Sequence, residues 1–176
     1  MNLNYMKYIF LFLICFQCNH FYAQPSWVLD HFESQIGVWC ADNSKYISDT
    51  EPMTVYILEW NWSGIKNNLV GRLYGKIDSI STSIFWDFYQ YWNPKIEQIE
   101  IKQIGSDGTL GVGSMTFKNS LEYDLKQEFT TPNGQSKFVR HDYKKQDSDT
   151  EITTSFDETV DGKWVKKRTY FWFKIK

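Results

Sequence analysis

The chain has 176 residues, a formal net charge of −2 and 18% aromatic residues. That length holds one domain of ordinary size. The slightly acidic balance excludes a nucleic-acid binder, which needs a basic face, and the aromatic content suits sheets and ligand pockets alike.

The first stretch reads as targeting. Lys7 marks a weakly basic leader, and Tyr8-Ile9-Phe10-Leu11-Phe12-Leu13-Ile14-Cys15-Phe16 is an apolar run. The run has the length of a signal h-region and is too short to span a bilayer as a helix. Phe21-Tyr22-Ala23-Gln24 offers a cleavage region. The expectation is a signal peptide over residues 1–24, a mature domain over 25–176, and a secreted or periplasmic protein. An uncleaved anchor, or lipidation at Cys18, is the alternative. Cleavage leaves Cys40 as the only cysteine, so no internal disulfide is expected and the core must hold the fold. Lys7 is the only Lys, Arg, Asp or Glu of the leader, so the mature domain is more acidic than the whole chain.

Pro25 to Ser34 reads as one short helix with Ser26 as N-cap. Strand signals then follow with little between them. They lie near Ile36–Ala41, Met53–Trp62, Asn67–Ile77, Ser83–Trp92, Lys95–Ile104, Thr109–Phe117, Leu121–Thr130, Ser136–Gln146, Glu151–Val160 and Lys163–Lys174. The separators are turn sequences: Ser63-Gly64, Gly105-Ser106-Asp107-Gly108, Thr131-Pro132-Asn133-Gly134, Asp147-Ser148-Asp149-Thr150 and Asp161-Gly162. Asn93-Pro94 marks a further corner. Short turns force antiparallel neighbours. Closure removes the exposed edges of so long a meander. The expected fold is all-β: a closed antiparallel up-and-down barrel of about ten strands, with the helix plugging one end. A sandwich is second.

Alternation supports half-buried strands. Tyr123, Leu125, Gln127 and Phe129 share one face of the seventh strand, and Ile152, Thr154 and Phe156 oppose Glu151, Thr153, Ser155 and Asp157 on the ninth. In the fourth, Trp86 and Phe88 take one face, Tyr89 and Tyr91 the other.

Gly37-Val38-Trp39 follows the helix directly and opens the first strand. A helix, a G-x-W and an antiparallel meander together resemble the calycin superfamily: lipocalins, fatty-acid-binding proteins and bacterial lipocalin-like relatives of uncharacterised function. Glu59-Trp60 and Leu69-Val70-Gly71-Arg72-Leu73-Tyr74-Gly75 are similar to the second and third strands of those bacterial families. The resemblance implies that Trp39 packs across one barrel end and that Arg168, on the last strand, lies over its ring as a cation–π partner. Haem-binding nitrobindin-like barrels carry a longer glycine pattern after the tryptophan. Here Trp39 is followed by Cys40-Ala41-Asp42-Asn43, so no haem is expected.

Catalytic motifs are weak. His31 and His141 are the mature histidines, and a metal site needs several converging ligands, so no metal or other cofactor is expected. Cys40 adjoins Trp39 and is expected to be buried and unreactive. Gly111-Val112-Gly113-Ser114 has no following helix for a phosphate; its small residues leave room for neighbours or a ligand. Glu59 and Asp87, set among aromatics, are the carboxylates to test for a catalytic pair. The expected function is non-catalytic binding or carriage of a small hydrophobic or amphipathic molecule. Its expected ligand-binding residues are Trp60, Arg72, Trp86, Tyr89, Tyr123, Gln127, His141 and Tyr170. One alternative is a barrel enzyme of hydrolase or isomerase/cyclase type, using polar groups around His141, Glu59 or Arg140. Another is a carbohydrate or protein interaction module using exposed rings of the fourth strand.

Overall fold

The computed structural model describes residues 24–176 apart from 65, 78 and 79. The signal peptide expected over residues 1–24 lies outside the described residues but for Gln24. Helix α1 (Ser26–Gln35) is followed by β1 (Gly37–Asp42), a 3-10 turn (Ser44–Tyr46), β2 (Val55–Trp62), β3 (Asn68–Ile77), β4 (Ile80–Asn93) and β5 (Gln98–Gly105). Then come β6 (Leu110–Phe117), β7 (Glu122–Thr130), β8 (Ser136–Lys145), β9 (Thr150–Glu158) and β10 (Trp164–Lys174). Each strand pairs antiparallel with the next, and β1 pairs with β10, so ten strands close into a barrel. That architecture is compatible with a lipocalin-like fold.

The helix stops one end. Its buried side, Val28, Phe32 and Gln35, faces the barrel. Trp39 Nε1 donates to Gln35 O at 2.8 Å, joining helix and β1. Trp27 meets Trp92 and Phe117 edge-on at 5.6 and 5.0 Å. The expected cap is corrected: Pro25 holds the N-cap position and Ser26 is the first helical residue. Pro25, with φ fixed near its observed −58°, has no N–H to leave unsatisfied. Gly37 is required where β1 leaves the helix, because its φ is +132° and a Cβ would collide with the Lys176 carbonyl.

Two bulged regions decide which residues point inward. In β3–β4 the register shifts around Tyr74, which brings Phe85 against Tyr56 at 5.9 Å as well as keeping Trp86 inward. In β9–β10 it shifts between Lys166 and Arg168. Unbroken alternation would put Trp164 with Arg168, Tyr170 and Trp172. Instead Trp164 lies near Arg140, whose guanidinium is 4.3 Å from the Phe156 ring and 5.3 Å from that of Trp164. An extra residue in one strand flips the side-chain phase beyond it.

The cation over Trp39 is Lys174, 5.4 Å from the ring centroid and its direct cross-strand partner. Arg168, given that place by the resemblance, lies over Tyr46 at 5.4 Å and forms a two-pronged ion pair with Glu51. Strand β10 is long enough that Arg168 sits at the far end of the barrel from Trp39.

Candidate functional site

The barrel interior holds a cavity of about 150 Å³. One wall is apolar: Leu58 and Trp60 from β2, Leu73 from β3, Phe88 from β4, Ile101 from β5 and Met115 from β6. The facing wall is polar. Gln127 comes from β7, His141 and Tyr143 from β8, and Glu151, Thr153 and Ser155 from β9. Gln90 and Gln103 extend the polar strip across β4 and β5. At the end away from the helix the interior meets a wider recess of about 490 Å³, rimmed by Phe129, Lys137, Asp157 and Arg168. Trp86, Gln103 and Ser155 line both spaces.

The polar strip follows from side-chain parity. Gln127 Nε2 donates to Gln103 Oε1 at 2.9 Å. Between them runs β6, where Gly111 and Gly113 make room. A Cβ on Gly111 would fall 2.8 Å from Gln103 Cγ, and one on Gly113 would fall 2.6 Å from Gln127 Cγ. Gln127 Oε1, Gln90 Oε1 and Thr153 Oγ1 are buried without a hydrogen-bond partner among the described residues. Such groups are costly unless something completes them.

Glu151 is the buried acid of the site, only 6% exposed. Gln35 Nε2, from the helix, donates to its Oε2 at 3.2 Å. Burial pushes the Glu151 carboxyl up to about 7, against the opposing pull of the Gln35 bond and the Lys145 charge. Tyr123 and Tyr143 stack with centroids 4.5 Å apart. Burial, and then the Glu151 charge, raise both phenols above their ordinary range. His141 is pushed down to about 4 by burial, which Asp157 partly opposes. His31 sits edge-on to Phe117 and Tyr123 at 5.0 and 5.3 Å, and burial with the Lys145 charge brings it down to about 3.

Six of the residues singled out in the sequence meet around this cavity: Trp60, Trp86, Tyr123, Gln127, His141 and Tyr170. Two do not. Arg72 is exposed on the outer wall beside Glu59, at 3.8 Å. Tyr89 is also outside, accepting from Asn68 Nδ2 at 2.8 Å. Both belong to the phase opposite to Leu73 and Phe88. The Glu59 and Asp87 pair is likewise corrected. Glu59 accepts from Tyr74 on the outer wall, and Asp87 is an exposed cross-strand neighbour of Arg72. Cys40 is half-buried on the outer side of β1 and not in the core, and burial raises its thiol pKa.

Gln90, Gln103, Tyr143, Glu151 and Thr153 were missed. Strand β9 is inverted relative to simple polarity: Glu151 and Thr153 are buried inside, whereas Ile152 and Phe156 belong to the outer phase. Only the register with β8 and β10 fixes that phase. The carboxylate in a strand of β-formers was the available signal.

Among the described residues, no group of three or more His, Cys, Asp or Glu is placed to hold a metal ion, and no helix is long and apolar enough to cross a membrane. No protein-family model and no curated protein matches the chain.

Proposed function

We propose that this is an exported, non-catalytic binding protein of the calycin type, which holds a small amphipathic molecule inside its barrel. The observation that carries this reading is the two-sided cavity. Its apolar wall suits a ring or short hydrocarbon, and its opposite wall offers polar groups that lack partners. Pockets of this kind combine apolar area with a few oriented polar groups. The volume of about 150 Å³ fits a benzene-sized body, and the wider recess gives it a way in or room for a tail. Native mass spectrometry of the mature protein, with extraction of whatever is bound, tests the reading. A stoichiometric small molecule is expected. An apo mass, together with unchanged tryptophan fluorescence across a panel of small ring compounds, overturns it, since Trp60, Trp86 and Trp172 line the cavity.

A second reading is a barrel enzyme. It is favoured by Glu151 and His141, two groups of shifted pKa in one cavity. With a carboxyl near 7, Glu151 has the poise of a general acid or base. Turnover of a cavity-sized substrate that Glu151→Gln abolishes would select this reading over simple binding.

A further inference from the structure

We infer that the cavity takes a small ring-bearing amine, its ammonium group seated against Glu151 and its ring against the apolar wall. This rests on the binding reading above and names the chemistry of its ligand.

The charges decide between ligand classes. Among the described residues that line the interior, Glu151 is the carboxylate and none is a lysine or arginine. Lys145 lines the pocket beneath the helix instead. Towards the mouth the recess is lined by Lys137, Lys167 and Arg168: Lys137 lies over the Phe129 ring, Lys167 is 3.6 Å from Asp157, and both terminal nitrogens of Arg168 are held by Glu51, one of them also by Tyr170. A ligand carboxylate in the interior would meet no lysine or arginine of the described lining, and it would be repelled by Glu151 wherever that group is ionised. An apolar ligand would leave Thr153 Oγ1, the next residue along the inner face of β9 from Glu151, without a partner. An ammonium group brings positive charge and three donors.

The groups are built in, not surface accidents. Glu151, Thr153, Gln127 and Gln90 are each at most 6% exposed. Gln35 fixes the orientation of Glu151, and Gln103 fixes that of Gln127. Trp60, Tyr123, Tyr143 and Trp172 add aromatic rings around the same space. Ring faces attract a cation strongly once water is excluded. The volume of about 150 Å³ limits the body to roughly one six-membered ring.

Isothermal titration of the mature protein with benzylamine, benzyl alcohol, toluene and phenylacetate separates the possibilities. Benzylamine is expected to bind about tenfold or more tighter than benzyl alcohol, the advantage of a charged over a neutral hydrogen bond. Phenylacetate is expected not to compete. Glu151→Gln should remove the amine preference. Where that variant does not fold, Thr153→Val and the carboxyl carbon resonance of Glu151 in the unmodified protein serve instead. The resonance should move to its ionised position on adding benzylamine. If benzyl alcohol and toluene bind as well as benzylamine, or phenylacetate binds best, the amine inference fails and the binding reading stands. If none of the four binds, both fail.

Discussion

Gln35 and Glu151 are joined by a hydrogen bond of 3.2 Å between the last turn of the helix and the polar wall of the barrel. The residues are 116 positions apart, and both are buried. The bond ties the plug to the floor of the cavity and favours the ionised carboxylate. Gln35→Leu removes the donor, so the Glu151 pKa should rise beyond its value of about 7. Carboxyl carbon NMR titration reads this directly. The same variant should lose about 1–3 kcal/mol of stability in urea unfolding, the cost of leaving a buried polar group without its partner.

Stability should depend on pH through three buried groups. His31 and His141 are held at about 3 and 4, below 6.5, whereas Glu151 is held at about 7, above 4.5. Between pH 4.5 and 6.5 the unfolded chain gains two histidine protons and lacks the Glu151 proton that the fold retains. The net is one proton favouring the unfolded chain. Stability therefore rises with pH across that window, by about 1.4 kcal/mol per unit at most. Above pH 6.5 the histidines of the unfolded chain finish losing their protons while Glu151 loses its own in the fold, so the two losses offset and the curve levels off near pH 7. Urea unfolding at half-unit steps measures the curve. In His141→Gln the two remaining groups cancel, so the slope over the window should flatten. A slope as steep as that of the unmodified protein would contradict the assignment.

Arg168 organises the open rim. Its guanidinium grips both oxygens of Glu51, donates to Tyr170 Oη at 3.1 Å, and lies over Tyr46. Tyr56 and Asn43 join through Glu51 and Tyr170. Arg168→Met should cost about 1–2 kcal/mol, discounted because the pair is partly solvated. A double-mutant cycle with Glu51→Gln should return a coupling of about 1 kcal/mol. Near-additive effects would show that the rim is not held by this pair.

Lys174, not Arg168, covers Trp39. Lys174→Met should therefore shift the emission of a protein in which Trp39 carries a fluorinated or otherwise distinguishable indole. Arg168→Met should leave that signal alone. The stability change from Lys174→Met should be about 0.5–1 kcal/mol, as for an exposed cation–π contact.

Gly71 faces the Trp60 ring, and a Cβ there would strike it while lying 2.9 Å from the Glu59 carbonyl. Gly71→Ala should displace Trp60, which is 4% exposed and lines the cavity. A loss of about 1–3 kcal/mol is expected. Ring binding should weaken in parallel, read by titration with the best-bound probe. Unchanged binding would mean that Trp60 does not shape the ligand space.

The meander is legible in the chain's turn residues. They sit at Gly108, Gly134 and Gly162, each with positive φ, and they leave no room for crossovers. The helix position, the inward phase of Tyr123 and Gln127, and the division of Trp86 from Tyr89 are legible too. Those follow from local chemistry and from a period of two. The phase of strands whose two faces are both mixed depends instead on long-range pairing. Polarity alone favours Ile152 and Phe156 inside, yet Glu151 and Thr153 are there. The bulges beside Arg168 and Tyr74 reset alternation by one residue, and no side chain announces them. Closure through the pairing of β1 with β10 then fixes every phase at once. That is why Glu151, on a strand whose polar face reads as solvent-exposed, is a buried carboxylate at the floor of the cavity.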